Sequence, residues 1–232
     1  MGGPLKSPHF RGQVSTSIPN NTRGGILIRS LRRVSDGTVI SGPSLIVDEV
    51  LRVCGAQSIA EMVQDKMRSS LAFPNTTVAS PNEFTFTVKP KRDSRREKLT
   101  VYSSPRIGLD LSHKSTTASL TNPRVIFVQK HYRFFANPQL LTANGRAQTF
   151  VGIYCYLSDP IRSTLKVNSN AFCEELCRVT GLKRNTVDKY ISELKWGREH
   201  GHLKSFVGPA GKGASSSPST YLKMMGLLLL SN

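Results

Sequence analysis

The sequence predicts an α+β protein: a mixed sheet with capped helices, followed by a winged helix-turn-helix-like module. Three observations carry that expectation. Short apolar or alternating runs bounded by turn residues recur up to about residue 135. Two strong helix starts, "SGPS" and "SIAE", interrupt them. The stretch "FCEELCRVTGLKRNTVDKYISELKWGREHGHL" then has the rhythm of a helix, a glycine turn and a second helix. The expected organisation is a disordered basic N-terminus over 1–23, an α+β domain over 24–135, the helix-turn-helix-like module over 136–226 and a tail over 227–232.

Charge narrows the partners. Thirty-two Lys and Arg against fifteen Asp and Glu give a net +17 in 232 residues. Such a surface collects polyanions, because each neutralised phosphate releases a condensed counterion. Double-stranded DNA is the first partner to expect, with ribosomal RNA and anionic membrane behind it. A membrane-spanning helix is not expected, since the longest apolar run, "GLLLL", falls far short of the ~20 residues needed. A hydrophobic share of 38% leaves room for tail or long loop beside the packed part. The first acidic residue is Asp36, while Lys6, Arg11 and Arg23 lie among Ser and Thr. That composition suits an organelle transit peptide, a basic DNA-binding arm or plain disorder. Four cysteines make no disulfide framework and fit an intracellular setting (nucleus, nucleoid or organelle). Cys173 and Cys177 lie four apart with His200 and His202 further on, but zinc sites usually start from a tighter knuckle. Core packing is therefore the expected use of both, with no metal and no cofactor.

The elements follow in order. "GGILIRSL" (24–31) suits a buried strand, "SDG" a turn, and "TVI" a continuing strand. In "SGPSLIVDEVLRVCG" Pro43 sits at the first helical position, Ile46, Val50, Val53 and Cys54 recur at helical spacing, and Gly55 stops the helix. Ser58 and Glu61 make a capping box for a second helix, with Ile59, Met62 and Val63 turned inward. "EFTFTV" (83–88) alternates like a strand, and "KPKRDSRREK" (89–98) is a basic loop, either solvated or set against phosphate. "LTVYSSPRIGLDLS" (99–112) and "RVIFVQKHYRFF" (124–135) are expected as core strands.

In the module, Phe172, Leu176 and Val179 stripe the first helix, Gly181 supplies the turn, and Val187, Ile191 and Leu194 stripe the second. Arg184, Asn185, Asp188, Lys189 and Ser192 are left facing outward, the arrangement that offers a helix to the major groove. Arg184 suits guanine O6 and N7, and Asn185 suits adenine N6 and N7. Lys183, Lys189 and Thr186 suit phosphates near the helix start. "HLKSFVG" (202–208) and "STYLKM" (219–224) alternate like the strands of a wing, joined by "PAGKGASSS", which carries Lys212 as a further cation for DNA. Residues 137–157 would supply the leading helix. The competing reading is a helical hairpin that only packs, or a winged helix used for protein contacts.

Three motifs in order resemble the C-terminal half of the alkylpurine (3-methyladenine) DNA glycosylase family. They are "GGILIRSL", with Arg29; "SGPSLIVDEVL", with Ser41, Gly42, Pro43 and Ser44; and "SSPRIGLDLS" followed by "YRFF", with Pro105, Arg106 and Gly108. The similarity spans residues 24–141 at most, and only at these islands. It implies an enzyme of base-excision repair that flips a damaged purine into an aromatic pocket and hydrolyses its glycosidic bond, with a glutamate activating the water. The family's glutamate segment and wedge hairpin lie upstream of the matched motifs, where residues 1–23 contain neither Glu nor Tyr. Leu45 stands where the family has lysine. No catalytic residue carries over, so the catalytic group is unknown, and spacing does not single out Asp48, Glu49 or Asp110 in its place. Of the matched residues, Arg29 is the one suited to a phosphate, against the plainer role of a strand-edge surface arginine.

Two expectations stand beside each other. One is a relative of these glycosylases, truncated or inactive, with a purine-sized pocket beside Arg29 and Ser44. The other is a non-enzymatic winged-helix regulator or replication initiator, a homodimer if the regulator reading holds. There is no Walker loop, no H-E-x-x-H and no G-x-S-x-G to suggest other chemistry.

Overall fold

The computed structural model describes residues 25–66, 99–141 and 144–229, in two units divided between Arg96 and Glu97. The first unit is a small hairpin and its helix. Strand β1 (Ser30–Arg32) pairs antiparallel with β2 (Val39–Ser41), Ser30 facing Ser41 and Arg32 facing Val39. The turn between them closes through Arg33 N–H to the Thr38 carbonyl at 2.9 Å, with Gly37 at φ 74°. Helix α1 (Pro43–Cys54) starts and stops where its signals place it: Pro43 in the first turn, Gly55 left-handed at the end.

Its packing departs from expectation. Among the described hydrophobic residues of this unit only Ile46 and Ala56 are buried. Without a deeper core to enter, Ile26, Leu27 and Ile28 stay exposed, so the strand begins only at Ser30. Val53 and Ile59, expected inward, are exposed as well. Polar contacts hold the unit instead. The Arg33 guanidinium donates to both Glu49 oxygens (2.8 and 3.0 Å), and Arg52 reaches the same carboxylate at 2.7 and 2.9 Å. These hydrogen bonds, those from Arg52 first, hold the Glu49 carboxyl well below its usual range. Helix α2 (Ile59–Glu61) is capped by Ser58 Oγ, while the Glu61 carboxylate accepts from Gln57 N–H, one residue earlier than a capping box predicts. The strand and basic loop expected over 83–98 lie outside the described residues.

The second unit is built on helix α4 (Arg146–Ser158), buried around most of its circumference. Strands β3 (Tyr102–Ser104) and β4 (Arg133–Phe135) form an antiparallel pair against it, a wide hairpin whose connection spans residues 105–132, with Ser103 opposite Phe134. The hairpin comes so close that a methyl group on Gly152 would overlap the Ser103 carbonyl. Tyr102 stacks on Phe135 (centroids 5.8 Å) and meets Tyr156 edge-on at 4.8 Å. The Arg133 guanidinium donates to Ser104 Oγ at 3.1 Å and Thr149 Oγ1 at 3.0 Å, and it lies 4.5 Å from the Phe135 ring centre. Tyr102–Phe135, expected in the first domain, is therefore part of the second unit's packing.

Two expected strands are helices. Residues Pro123–Val128, where a core strand is expected to begin, form helix α3. Asn122 caps it, Pro123 opens it, and Val125 and Val128 are buried at helical spacing. The wing is also absent among the described residues. Leu203–Phe206 and Gly208–Lys212 are 3-10 turns and Gly213–Ser216 a short helix, α7. Pro218–Leu229 is helix α8, opened by a Ser-Pro pair in which Ser217 Oγ accepts from Thr220 N–H. The apparent strand alternation of 219–224 is part of a helical face, since Tyr221, Leu222, Met224, Met225 and Leu228 are all buried. Leu228, expected in the tail, thus belongs to the core.

Helix α8 packs on helix α6 (Arg184–His200) backbone to backbone. A Cβ on Gly197 would overlap the Lys223 carbonyl, and one on Gly226 would overlap the Leu194 carbonyl. Gly197→Ala and Gly226→Ala are each expected to destabilise the fold by about 1–3 kcal/mol, because backbone rather than a flexible side chain must yield. Gly25→Ala, which meets open space, is expected to be neutral. Chemical denaturation of the three variants checks this. A second expectation concerns pH. His131 Nδ1 lies 3.3 Å from Ser103 Oγ, and burial lowers its pKa below the ordinary histidine value. The unfolded chain then takes up that proton first, so stability is complete above a pH of about 6.5 and declines as pH falls through the folded value. The lowered carboxylates Asp36, Glu49 and Glu175 titrate below this window. Thermal melts across the range should show His131→Gln flattening the slope.

Candidate nucleic-acid interface

Helix α5 (Asn170–Thr180) begins where Ser169 Oγ accepts the Phe172 N–H at 3.2 Å. Phe172, Leu176 and Val179 are buried, as their spacing predicts, and Cys173 joins them at 5% exposed. The helix ends on Gly181 at φ 69°, whose N–H reaches the Cys177 carbonyl. Thr180 wires the turn: its hydroxyl donates to the Leu176 carbonyl and accepts from Leu182 N–H at 3.2 Å. Helix α6 then starts at Arg184 and buries Val187, Tyr190, Leu194 and Gly197.

Aromatic contacts lock α4, α5 and α6 together. Phe150 meets Tyr190 edge-to-face at 5.1 Å, and Tyr154 meets Phe172 the same way at 5.4 Å. Such pairs add about 0.5–1.5 kcal/mol each beyond the area they bury. The expected leading helix is present as α4, preceded by a separate 3-10 turn at Pro138–Leu140. The apolar stripe read from the sequence picks out Ile191, which is half-buried, and misses the buried Tyr190.

The outward face is as anticipated. Lys183, Arg184, Asn185, Asp188, Lys189 and Ser192 are exposed, and Thr186 is half-buried. No side chain caps the start of α6 and no acidic residue lies in its first turn, so that end keeps its positive dipole. Arg184 does not extend freely. Its Nε donates to Asp188 Oδ1 at 2.8 Å and its Nη1 to Asn170 Oδ1 at 2.8 Å, tying the reader position to the first turn of α5. An exposed ion pair of this kind stabilises little, so a better partner can displace it. Further along α6, Lys195 and Arg198 are exposed, and the half-exposed Trp196 stacks on His200 beneath the Lys223 ammonium, 4.4 Å from a ring centre. Neither Lys195, Arg198 nor Trp196 is singled out by the sequence, although Lys195 and Trp196 continue the helical face beyond Ser192.

The remaining anticipated residues lie on other elements. Lys212 is exposed in the 3-10 turn before α7, in the same unit. Arg29 is half-buried in the first unit, where its carbonyl accepts from Gly42 N–H. The glycosylase-matched residues divide between units. Ser41 ends β2, Gly42 and Pro43 start α1 with Ser44 exposed beside them, and Pro105, Arg106 and Gly108 follow β3. Pro105 is buried, Arg106 exposed, and Gly108 left-handed at φ 80°.

The carboxylates weighed as bases have structural partners or open solvent. Glu49 is held by two arginines, Asp110 accepts from Ser112 N–H and Oγ (2.9 and 2.7 Å), and Asp48 is exposed. A cavity of about 420 Å³ opens in the second unit between the start of α4 and the start of α8. Ile107, Arg146, Gln148, Tyr190 and Tyr221 line it and its described walls include no carboxylate, whereas Arg29 and Ser44 belong to the first unit. No group of three metal-ligating side chains occurs among the described residues. Burial pushes the Cys177 thiol up and that of Cys155 up to about 11, which suits packing rather than ligation. No helix among the described residues is long and apolar enough to cross a membrane. Comparison with known proteins returns no matching family model, no matching curated protein and no matching solved structure.

The turn offers a direct check. Thr180→Val keeps the shape of a buried side chain but strands the Leu182 N–H, and is expected to cost about 1–3 kcal/mol. Thr164→Val, at an exposed position, serves as the control in urea denaturation.

Proposed function

We propose that this chain is a DNA-binding protein that lays the first half of α6 in the major groove. Helices α4 and α5 complete a three-helix form of the helix-turn-helix that needs no wing. One observation carries the reading: Arg184, Asn185 and Lys189 are exposed on α6, with Lys183 exposed at its N-cap, while Val187, Tyr190 and Leu194 of the same helix are buried. A helix that served only to pack would not need a cationic, hydrogen-bonding front and an uncapped positive end together.

The roles follow from chemistry. Lys183 and Lys189 neutralise phosphates, and the free N–H groups of the first turn add to them. Asn185 reads adenine through its carboxamide, and Arg184 reads guanine after leaving Asp188. Asp188 has a second use in this scheme: it repels phosphate until the arginine finds a base, which weakens binding to unsuited sequences. The net charge of +17 supplies the long-range attraction.

Binding of the full chain to a labelled duplex, followed by fluorescence anisotropy against salt, tests the reading. The slope of log K against log salt is expected to shrink by about 2 in the Lys183→Ala/Lys189→Ala double variant, one unit for each phosphate no longer neutralised. Asp188→Asn is expected to tighten binding to arbitrary sequence. An unchanged slope in the double variant would remove α6 from the interface. Placing hypoxanthine in the same duplex and treating with alkali tests N-glycosylase chemistry separately, through breakage at the lesion alone.

A further inference from the structure

The two faces of the β3–β4 hairpin differ sharply. Tyr102, Ser104 and Phe135 turn inward onto α4, whereas Phe134, opposite Ser103, stands 71% exposed. Tyr132, two residues earlier and on the same alternation, is 56% exposed, and it meets the 45% exposed Phe127 of α3 edge-to-face at 5.4 Å. Val101 and Ile126 add further exposed apolar surface. Single exposed apolar side chains are ordinary, but three aromatic rings within residues 127–134 are a binding surface in search of a partner.

Charge says what kind of partner. Residues 99–141 hold five cations, Arg106, Lys114, Arg124, Lys130 and Arg133, against one carboxylate, Asp110. Asp110 is occupied with Ser112, and all the cations except Arg133 are exposed. Lys130 lies between Phe127 and Tyr132 in the chain. Aromatic rings interleaved with cations suit a strand of unpaired bases, because every base offers a π-face and every nucleotide a phosphate. A duplex hides its base faces in the stack and leaves such rings unused. Tyr132 immediately precedes β4 and Phe134 lies within it, and alternate residues of near-extended chain stand about 7 Å apart, a spacing that suits neighbouring splayed bases.

We propose that this outward face of the β3–β4 hairpin binds single-stranded DNA, with Phe134 and Tyr132 stacking on unpaired bases and Lys130 holding the phosphate backbone beside Tyr132. The choice of DNA over RNA rests on the reading of α6 as a duplex-DNA reader; the stacking surface itself does not. The chain would then carry two DNA sites, one for paired and one for unpaired strands, as a protein acting where a duplex opens requires.

The test uses the full chain with fluorescein-labelled oligodeoxythymidine, oligouridine of equal length, and a blunt duplex. Phe134→Ala/Tyr132→Ala removes two exposed rings and the single Tyr132–Phe127 contact, so its melting point should fall only slightly and the chain should stay folded. It is expected to weaken oligodeoxythymidine binding roughly tenfold or more and leave duplex binding unchanged. Phe134→Trp, which keeps a stacking face, should retain single-strand affinity. Lys183→Ala/Lys189→Ala should do the reverse, weakening the duplex complex alone. If only the duplex complex fails to form, the α6 reading falls and the hairpin site stands. Unchanged oligodeoxythymidine binding in the double alanine variant overturns the proposal, as does an equal loss on both DNA forms. Tighter binding of oligouridine overturns the choice of DNA. Self-association of the parent abolished by the alanine pair would show a second copy of the chain to be the occupant, and overturns it too.

Discussion

The second unit depends on one close approach. At Gly197 and Gly226 the backbones of α6 and α8 touch with no side chain between them. That crossing fixes the rear of α6, where Glu193 also accepts from Ser219 and pairs with Lys223 of α8, and it brings Met224, Met225 and Leu228 into the core. Once α6 is held from behind, its inward aromatics can key it to α4. Phe150 and Tyr190 form that joint, and Tyr154 and Phe172 add α5. The polar front of α6 is what remains after these demands are met. A single methyl group at either glycine would act on all of them through one crossing.

Electrostatics are arranged on a different principle in each unit. In the first, Arg33, Glu49 and Arg52 knit the hairpin to α1, compensating for a core that buries only Ile46 and Ala56 among its described hydrophobic residues. In the second, arginines pair with acids three or four residues away along the chain, as in Arg162–Asp159, Arg178–Glu175 and Arg184–Asp188. Exposed pairs like these stabilise little. Their effect is to set where an arginine points when no ligand is present, and for Arg184 that direction is toward Asn170.

What was legible in the sequence was local chemistry. Pro43 and Gly55 bounded α1, Ser58 capped α2, and Gly181 marked the turn before α6, because caps and turns are read by neighbouring residues alone. The exposed row from Lys183 to Ser192 followed from periodicity. Periodicity failed where apolar runs were short. Valine and isoleucine in Pro123–Val128 suggested a strand, but Asn122 and Pro123 had already set a helix start. Serine and proline at 217–218 gave the same signal ahead of α8, and the alternation of 219–224 obscured it. The aromatic face of the hairpin was hidden for a related reason: read as one core strand, 124–135 would bury Tyr132 and Phe134, which the α3-to-β4 break leaves outside. The link from Arg184 to Asn170 joins residues 14 apart and belongs to tertiary structure alone.

The crossing at Gly197 also divides α6 mechanically. Its second half is clamped along its backbone by α8, while its first turns are held only by side chains such as Val187 and by the small turn at Thr180 and Gly181. The helix is therefore a cantilever, rigid at the root and compliant at the tip that carries Lys183 to Lys189. Amides near the root should open only with the whole unit, and those at the tip well before it. On the proposed reading, a tip of this kind would adjust its angle to a curved or widened groove at little cost. The root keeps every such adjustment elastic, returning the helix to one position when the ligand leaves.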